Sequence, residues 1–327
     1  MRNRSSVVAF LAALGLAAAV LIGCGGGAGD GSTLRLGYFP NLTHGPALVA
    51  LDEGIFDRRV TALEVKPEKF STGTEAIASM LAGSLDASYI GMGPVITALS
   101  RAPGSVEVIA GVSEAGAVLV ARRGSGIRTV ADLRGRTVGF PGFGNTQDLA
   151  LRVLLKQAGL SPQAQGGSVS MVRIRNADLR TAFERGALDA TLAPEPWGAT
   201  LVDLGLADVV LPANKIVNGG RYPTTVLVVR TAFADAHPEA VAQLVAANRD
   251  AVTLARKRPD LVATAFTKAV KGRVPSAPAL AGAVASNVPG TTVNRDGTNI
   301  LLRAASDAGY LAKPVGLDQL LPAEPGS

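Results

Sequence analysis

The chain has 327 residues, 47% of them apolar and 4% aromatic, with a formal net charge of +6. That length suits two lobes rather than one core. The basic surplus is scattered, with no run beyond Arg256-Lys257-Arg258, and a single cysteine is present; nucleic-acid binding and a disulfide framework are both excluded.

Arg2 and Arg4 precede an unbroken apolar run from Val7 to Val20. The run has signal-peptide length and is too short for a membrane span. Leu21-Ile22-Gly23-Cys24 follows, with Cys24 the sole cysteine. Small residues before a lone Cys, just after the apolar run, are similar to a bacterial lipobox. The similarity implies cleavage before Cys24 and lipid on its sulfur, which anchors the protein to a membrane. Acylation also removes a free thiol from an oxidising compartment. Residues 1–23 are therefore expected to be a leader, and Gly-rich residues 24–32 a flexible tether. With Cys24 used there, no thiol nucleophile or thiolate metal site remains.

Strand and helix patterns alternate from Thr33 onward, which predicts an α/β fold. Thr33–Tyr38 alternates as a strand, and Pro46–Asp52 reads as a helix with Pro in its first turn. Leu63-Glu64-Val65 is a second strand. Thr72 stands three residues before Glu75, the spacing of a capping box, and Gly83 closes that helix. Tyr89-Ile90, Val106–Ala110 and Ala117–Ala121 are further strands. Thr137–Phe140 and Thr225–Val229 follow as strands, and Pro238–Leu254 as a helix. The C-terminal third is helical in period, interrupted by Pro275, Pro278 and Pro289, and is expected to pack on the first lobe.

The chain also repeats itself. Gly83-Ser84-Leu85-Asp86-Ala87-Ser88 is echoed by Gly186-Ala187-Leu188-Asp189-Ala190-Thr191, 103 residues later. Thr43 and Thr146, each after a Gly/Pro turn and before a helix, lie at the same spacing. Two matches at one spacing predict two lobes of like architecture. The expected boundaries are 33–115 plus 224–327 for lobe I and 116–223 for lobe II.

Several stretches resemble the nitrate/sulfonate/taurine-type solute-binding family of ABC importers. They are Gly37-Tyr38-Phe39-Pro40-Asn41-Leu42-Thr43-His44, Phe70-Ser71-Thr72-Gly73, Leu85-Asp86-Ala87, Gly144-Asn145-Thr146, Glu195-Pro196-Trp197 and His237-Pro238-Glu239-Ala240. The resemblance covers nearly the whole chain beyond the leader. It implies a two-lobe periplasmic-binding-protein type II fold with two chain crossings. It also implies a small solute held between the lobes and handed to an ABC permease and its ATPase. No cofactor is implied, and the protein is expected to be a monomer.

Helix starts that follow strands carry free N–H groups and the positive end of a dipole, so they suit anions. Thr72 and Gly73 offer a hydroxyl and a backbone amide, or a plain helix cap. Thr146 and Gln147 offer the same, with Gly142 and Gly144 allowing close approach. Asn41, Thr43 and His44 follow the first strand, where the alternative for His44 is a turn residue bonded to a carbonyl. Gly91 and Met92 begin a Gly-rich turn that lets a ligand come close. Trp197 walls the pocket or packs between the lobes. Glu195 meets an amine on the solute or caps a helix. Tyr38 lines the mouth. Arg221 is the guanidinium candidate for a sulfonate fork, or a surface residue.

An enzyme is disfavoured. Nothing matches His-Glu-x-x-His, Gly-x-Ser-x-Gly or a P-loop. Two histidines 193 residues apart give little basis for a metal site. The thiamine-precursor synthase branch and porphobilinogen deaminase, which resemble this architecture, need cysteines that are absent here. A thiamine-pyrimidine-precursor binder for an importer, and a sensor lipoprotein, stay open beside the sulfonate, taurine or nitrate reading.

Overall fold

The computed structural model describes residues 32–270 and 274–321. The expected leader, Cys24 and all but the last residue of the expected tether lie outside the described residues. In chain order the elements begin with β1 (Thr33–Tyr38), α1 (Gly45–Asp52), α2 (Ile55–Arg59), β2 (Glu64–Lys69), α3 (Gly73–Leu81), β3 (Ala87–Ile90), α4 (Met92–Arg101) and β4 (Val106–Ala115). The middle of the chain holds β5 (Ala117–Arg122), β6 (Thr137–Phe140), α5 (Thr146–Gln157), β7 (Ser170–Arg173), α6 (Leu179–Glu184), β8 (Ala190–Pro194), α7 (Trp197–Asp203) and β9 (Ala207–Leu211). The chain continues through β10 (Pro223–Arg230), α8 (Thr231–Ala236), α9 (Pro238–Lys257), α10 (Pro259–Ala269), α11 (Ala277–Ala285), β11 (Asn287–Pro289), α12 (Arg295–Asp307) and α13 (Leu317–Leu320).

These strands form two sheets, ordered β11-β4-β10-β3-β1-β2 and β7-β6-β8-β5-β9. The two share a plan. Three strands run parallel, in the order β2-β1-β3 in one and β7-β6-β8 in the other, and the next strand, β10 or β5, is antiparallel. The Leu-Asp echo has a physical role in that plan. Asp86 accepts the Arg35 amide at 3.0 Å, and Asp189 accepts the Thr137 amide at 2.9 Å. Each carboxylate therefore satisfies a backbone donor at the start of its sheet's central parallel strand. Arg35 and Arg230 also pair with Asp86.

Sequence character follows position in the sheets. β3 and β10 are central and almost wholly apolar or small, and both are buried along nearly their full length. β2 is an edge strand of Glu-Val-Lys-Pro-Glu-Lys, mostly exposed, where Pro67 and the charges deter further pairing. It starts one residue after the expected Leu63 and runs to Lys69, while β4 extends five residues past the expected Ala110. Thr72 caps α3 with Glu75 in a full capping box. α9 lays Leu244, Ala247, Ala251 and Val252 in a buried stripe, and its small residues let α1 pack closely.

The chain passes between the sheets twice. The first passage, after β4, turns through Ala115 (φ 57°) and Gly116 (φ 70°); the return, before β10, turns through Asn218, Gly219 and Gly220, all at positive φ. Glycine suits position 116 because its φ is positive and a Cβ there would displace the Asn287 side chain. The C-terminal helices α8 to α10 pack on the first sheet's side, but α11 also packs on α7, and α12 on α5, of the second unit. No helix among the described residues is long and apolar enough to cross a membrane.

Candidate functional site

A cleft lies between the two sheets, at the carboxyl ends of their parallel strands, the position expected for ligands in open α/β sheets. From the first sheet come Asn41, Thr43 and His44 after β1, Ser71, Thr72 and Gly73 after β2, and Gly91 and Pro94 after β3. From the second come Pro141, Asn145, Thr146 and Gln147 after β6, Asn176 after β7, and Pro194 at the end of β8. Phe39 and Thr224 complete the wall. The lining pairs across the repeat: Thr43 with Thr146, His44 with Gln147, Gly73 with Asn176 and Gly91 with Pro194 are each 103 residues apart. The repeat thus puts equivalent strand ends face to face.

The two walls touch. The Gly93 amide at the start of α4 donates to Thr146 Oγ1 at 3.2 Å. The Leu42 amide donates to the Glu195 carbonyl at 2.8 Å. The remaining cavity is about 50 Å³, room for roughly four waters at 10–15 Å³ each.

The first turns of α3, α4 and α5 all open on this cleft, so amides and positive dipole ends gather there. Thr146 Oγ1 accepts from Gly93, which leaves its hydroxyl proton to donate. Thr43 donates its own hydroxyl to Asn41 Oδ1 at 2.6 Å. No Lys, Arg, Asp or Glu is among the lining residues. His44 is buried, and burial holds its imidazole pKa down to about 3, so it is neutral near pH 7. Its Nδ1 has no hydrogen-bond partner among the described residues, and neither have Asn145 Oδ1 and Asn176 Oδ1. Buried polar atoms are rarely left so, and three along one cleft mark where a bound molecule would supply partners.

Of the residues singled out in the sequence, Asn41, Thr43, His44, Thr72, Gly73, Gly91, Thr146 and Gln147 line this cleft. The hydroxyl of Thr72 is occupied in capping, where it accepts from the Glu75 amide. Tyr38, Met92, Glu195, Trp197 and Arg221 do not line it. Met92 begins α4 but turns fully into the core. Tyr38 is half-buried against the cluster around Leu42 and Phe266. Arg221 is exposed and borders a separate cavity with Glu114. Trp197 borders another cavity, beside Phe266. Glu195 folds onto its own helix, and Oε2 accepts the Ala199 amide at 2.9 Å. Burial pushes the Glu195 carboxyl up to about 7, and the Ala199 hydrogen bond offsets this only in part. Local pattern does not mark Asn176 or Pro194; the 103-residue spacing from Gly73 and Gly91 is the signal that finds them.

The two buried titratable groups give opposite pH dependences. Between about pH 4.5 and 7 the folded chain holds the Glu195 proton that the unfolded chain has released, so this stabilisation is full below 4.5 and fades as pH rises to 7. His44 behaves in the other sense: the unfolded chain binds its proton below 6.5, so stability falls as pH drops from 6.5 toward 3. Each slope is at most about 1.4 kcal/mol per pH unit. In thermal melts from pH 4.5 to 6.5 the two should nearly cancel. Glu195→Gln should leave a melting temperature that climbs with pH relative to wild type, and His44→Asn one that falls. Parallel profiles for all three proteins would refute the assignment.

The model of the NMT1-like family matches residues 27–269. The chain is 28% identical to the taurine-binding periplasmic protein of Escherichia coli, over 60% of this chain and 58% of that one. Its fold is similar to the periplasmic aliphatic sulphonate binding protein SsuA from Escherichia coli, with a TM-score of 0.71 at 21% identity, covering 89% of this chain and 92% of that one. It is also similar to the desulfurization enzyme DSZB, with a TM-score of 0.64 at 19% identity, covering 90% and 97%. The two-lobe α/β architecture of periplasmic binding proteins is thus the fold of this chain.

Proposed function

Because the chain belongs to the NMT1-like family, we propose that it is the extracytoplasmic solute-binding component of an ABC importer, taking a small anionic or zwitterionic solute. An aliphatic sulfonate or taurine is the first choice, with a nitrate-like anion next. The observation that carries this reading is the cleft itself: helix starts from two repeated lobes converge on a small space lined by unpartnered polar atoms and by no ionised side chain. An oxyanion there accepts from first-turn amides of α3, α4 and α5 and from the Thr146 hydroxyl. Each such helix end contributes about 0.3–1 kcal/mol, and up to about 2 when partly buried.

The lobes are residues 33–115 plus 224–327, and 116–223, and the passages at Ala115-Gly116 and Asn218–Gly220 serve as the hinge. Solute between the lobes favours closure, and the closed shape is what a permease and its ATPase read. Binding without catalysis fits the chemistry: the one titratable side chain lining the cleft, His44, stays neutral and is poorly suited to proton transfer near pH 7. Cys24 carries the lipid that ties a monomer to the outer face of the membrane.

One experiment tests both parts. The Cys24→Ser variant should appear in the soluble fraction, and retention in the membrane fraction overturns the anchor. That soluble protein is then melted with taurine, ethanesulfonate, nitrate, bicarbonate and an aminopyrimidine. One of the first three should raise the melting temperature, since ligand at 100 times its Kd adds about 2.7 kcal/mol. A shift only with the others, or with none, overturns the solute class.

A further inference from the structure

Asn176 borders two cavities at once. One is the cleft; the other is a chamber of about 210 Å³, against about 50 Å³ for the cleft. The chamber is walled by Pro196, Trp197 and Leu201 from the second lobe and by Phe266 and Val270 from the first. The two spaces adjoin along the chain: Pro194 lines the cleft, Pro196 lines the chamber, and the Leu42–Glu195 backbone hydrogen bond lies between them. At the junction Asn176 Oδ1 has no partner among the described residues. Trp197 is only partly buried beside the core of its own lobe, so much of its ring is left for another contact.

We propose that this chamber receives the apolar tail of the solute whose anionic head sits in the cleft, and that Trp197 sets the preference for tail length. The proposal rests on the solute-binding reading above and narrows it to sulfonates with an alkyl tail. The physics is one of matching surfaces. The cleft offers dipoles to a head group of a few heavy atoms, and the chamber, apart from Asn176, Arg180 and Thr200, offers carbon. A tail reaching past Asn176 trades water for Trp197, Leu201 and Phe266. Taurine can offer its ammonium to Asn176 Oδ1 at the junction, but it carries no tail into the chamber and leaves Trp197, Leu201 and Phe266 unused.

Each methylene buried there tightens binding about fourfold. Calorimetric titration of the wild-type protein with ethanesulfonate, hexanesulfonate and taurine should therefore rank hexanesulfonate first, at least tenfold tighter than ethanesulfonate. Trp197→Ala should cost hexanesulfonate at least tenfold and leave ethanesulfonate within twofold. Trp197→Phe, which keeps an aromatic wall, should fall between and guards against a fold defect. A general loss of structure would weaken both sulfonates alike, and that result overturns the chamber. So does equal affinity of the two for wild type while both still bind. Binding of no sulfonate at all overturns the solute class first, and the chamber with it.

Discussion

Replacing Gly93 with alanine is expected to weaken solute binding at least 100-fold while leaving the ligand-free protein as stable as before. A Cβ at this position would lie 2.5 Å from the Gly144 carbonyl oxygen, 2.8 Å from the Asn145 carbonyl carbon and 2.8 Å from the Thr146 nitrogen. All three are backbone atoms of the opposite lobe, so no side-chain rotation relieves the clash. The same change displaces Thr146 Oγ1 from the Gly93 amide. Within its own lobe the substitution is benign, since alanine favours the α4 helix over glycine by about 1 kcal/mol. Each lobe should still fold and α5 stay packed on α12, while the start of α4 no longer seats against the 144–146 loop. Titration with the solute found by thermal screening, alongside a ligand-free melt, separates these effects. Wild-type affinity in this variant would show that the walls need not touch for binding.

Asp148→Ala should produce the largest loss of stability, about 3–5 kcal/mol. The Asp148 side chain is fully buried on α5 and accepts three hydrogen bonds: from the Gly144 amide at 2.8 Å, from Arg152 Nε at 2.8 Å and from the Tyr310 hydroxyl at 2.7 Å. Arg152 also donates to that hydroxyl at 2.7 Å and sits 5.1 Å from the Tyr310 ring centre. Removing the carboxylate strands a guanidinium that is only 12% exposed. It also frees the loop that carries Asn145 and Thr146 to the cleft, so affinity should fall together with stability. Denaturant unfolding of Asp148→Ala and of Asp148→Ala with Arg152→Met distinguishes a stranded charge from lost packing. The double variant should recover much of the loss, because no unpaired ion is left behind. A single variant within 1 kcal/mol of wild type would refute the account.

Local rules made much of the fold legible. β1 and β6 run as the sequence implies, because alternation and flanking Gly or Pro mark short strands well. The Thr72–Glu75 spacing is a capping box because both groups reach only neighbouring amides. The repeat was visible in Leu85-Asp86 and Leu188-Asp189, whose carboxylates bind backbone in the same way in each sheet. Side-chain direction was much less legible. Strand ends could be located, and with them Thr43, Thr72 and Thr146, but not which neighbour turns inward. Met92 goes to the core, Glu195 to its own helix and Arg221 to solvent, because tertiary packing rather than local pattern aims them. Asn176 escaped notice because its repeat partner, Gly73, shares its place in the fold but not its chemistry.

Among the described residues, none that lines the cleft is ionised. A monovalent oxyanion can be neutralised by partial charges spread over several amides, but a divalent one of similar size brings about four times the desolvation cost, which grows as the square of the charge, and meets no counter-charge. If the proposed solute class holds, the pocket should sort anions by valence, favouring an organosulfonate over free sulfate although the two present nearly the same oxygens. Because fixed dipoles inside a closed space are poorly shielded by salt, that choice should hold from dilute water to brine.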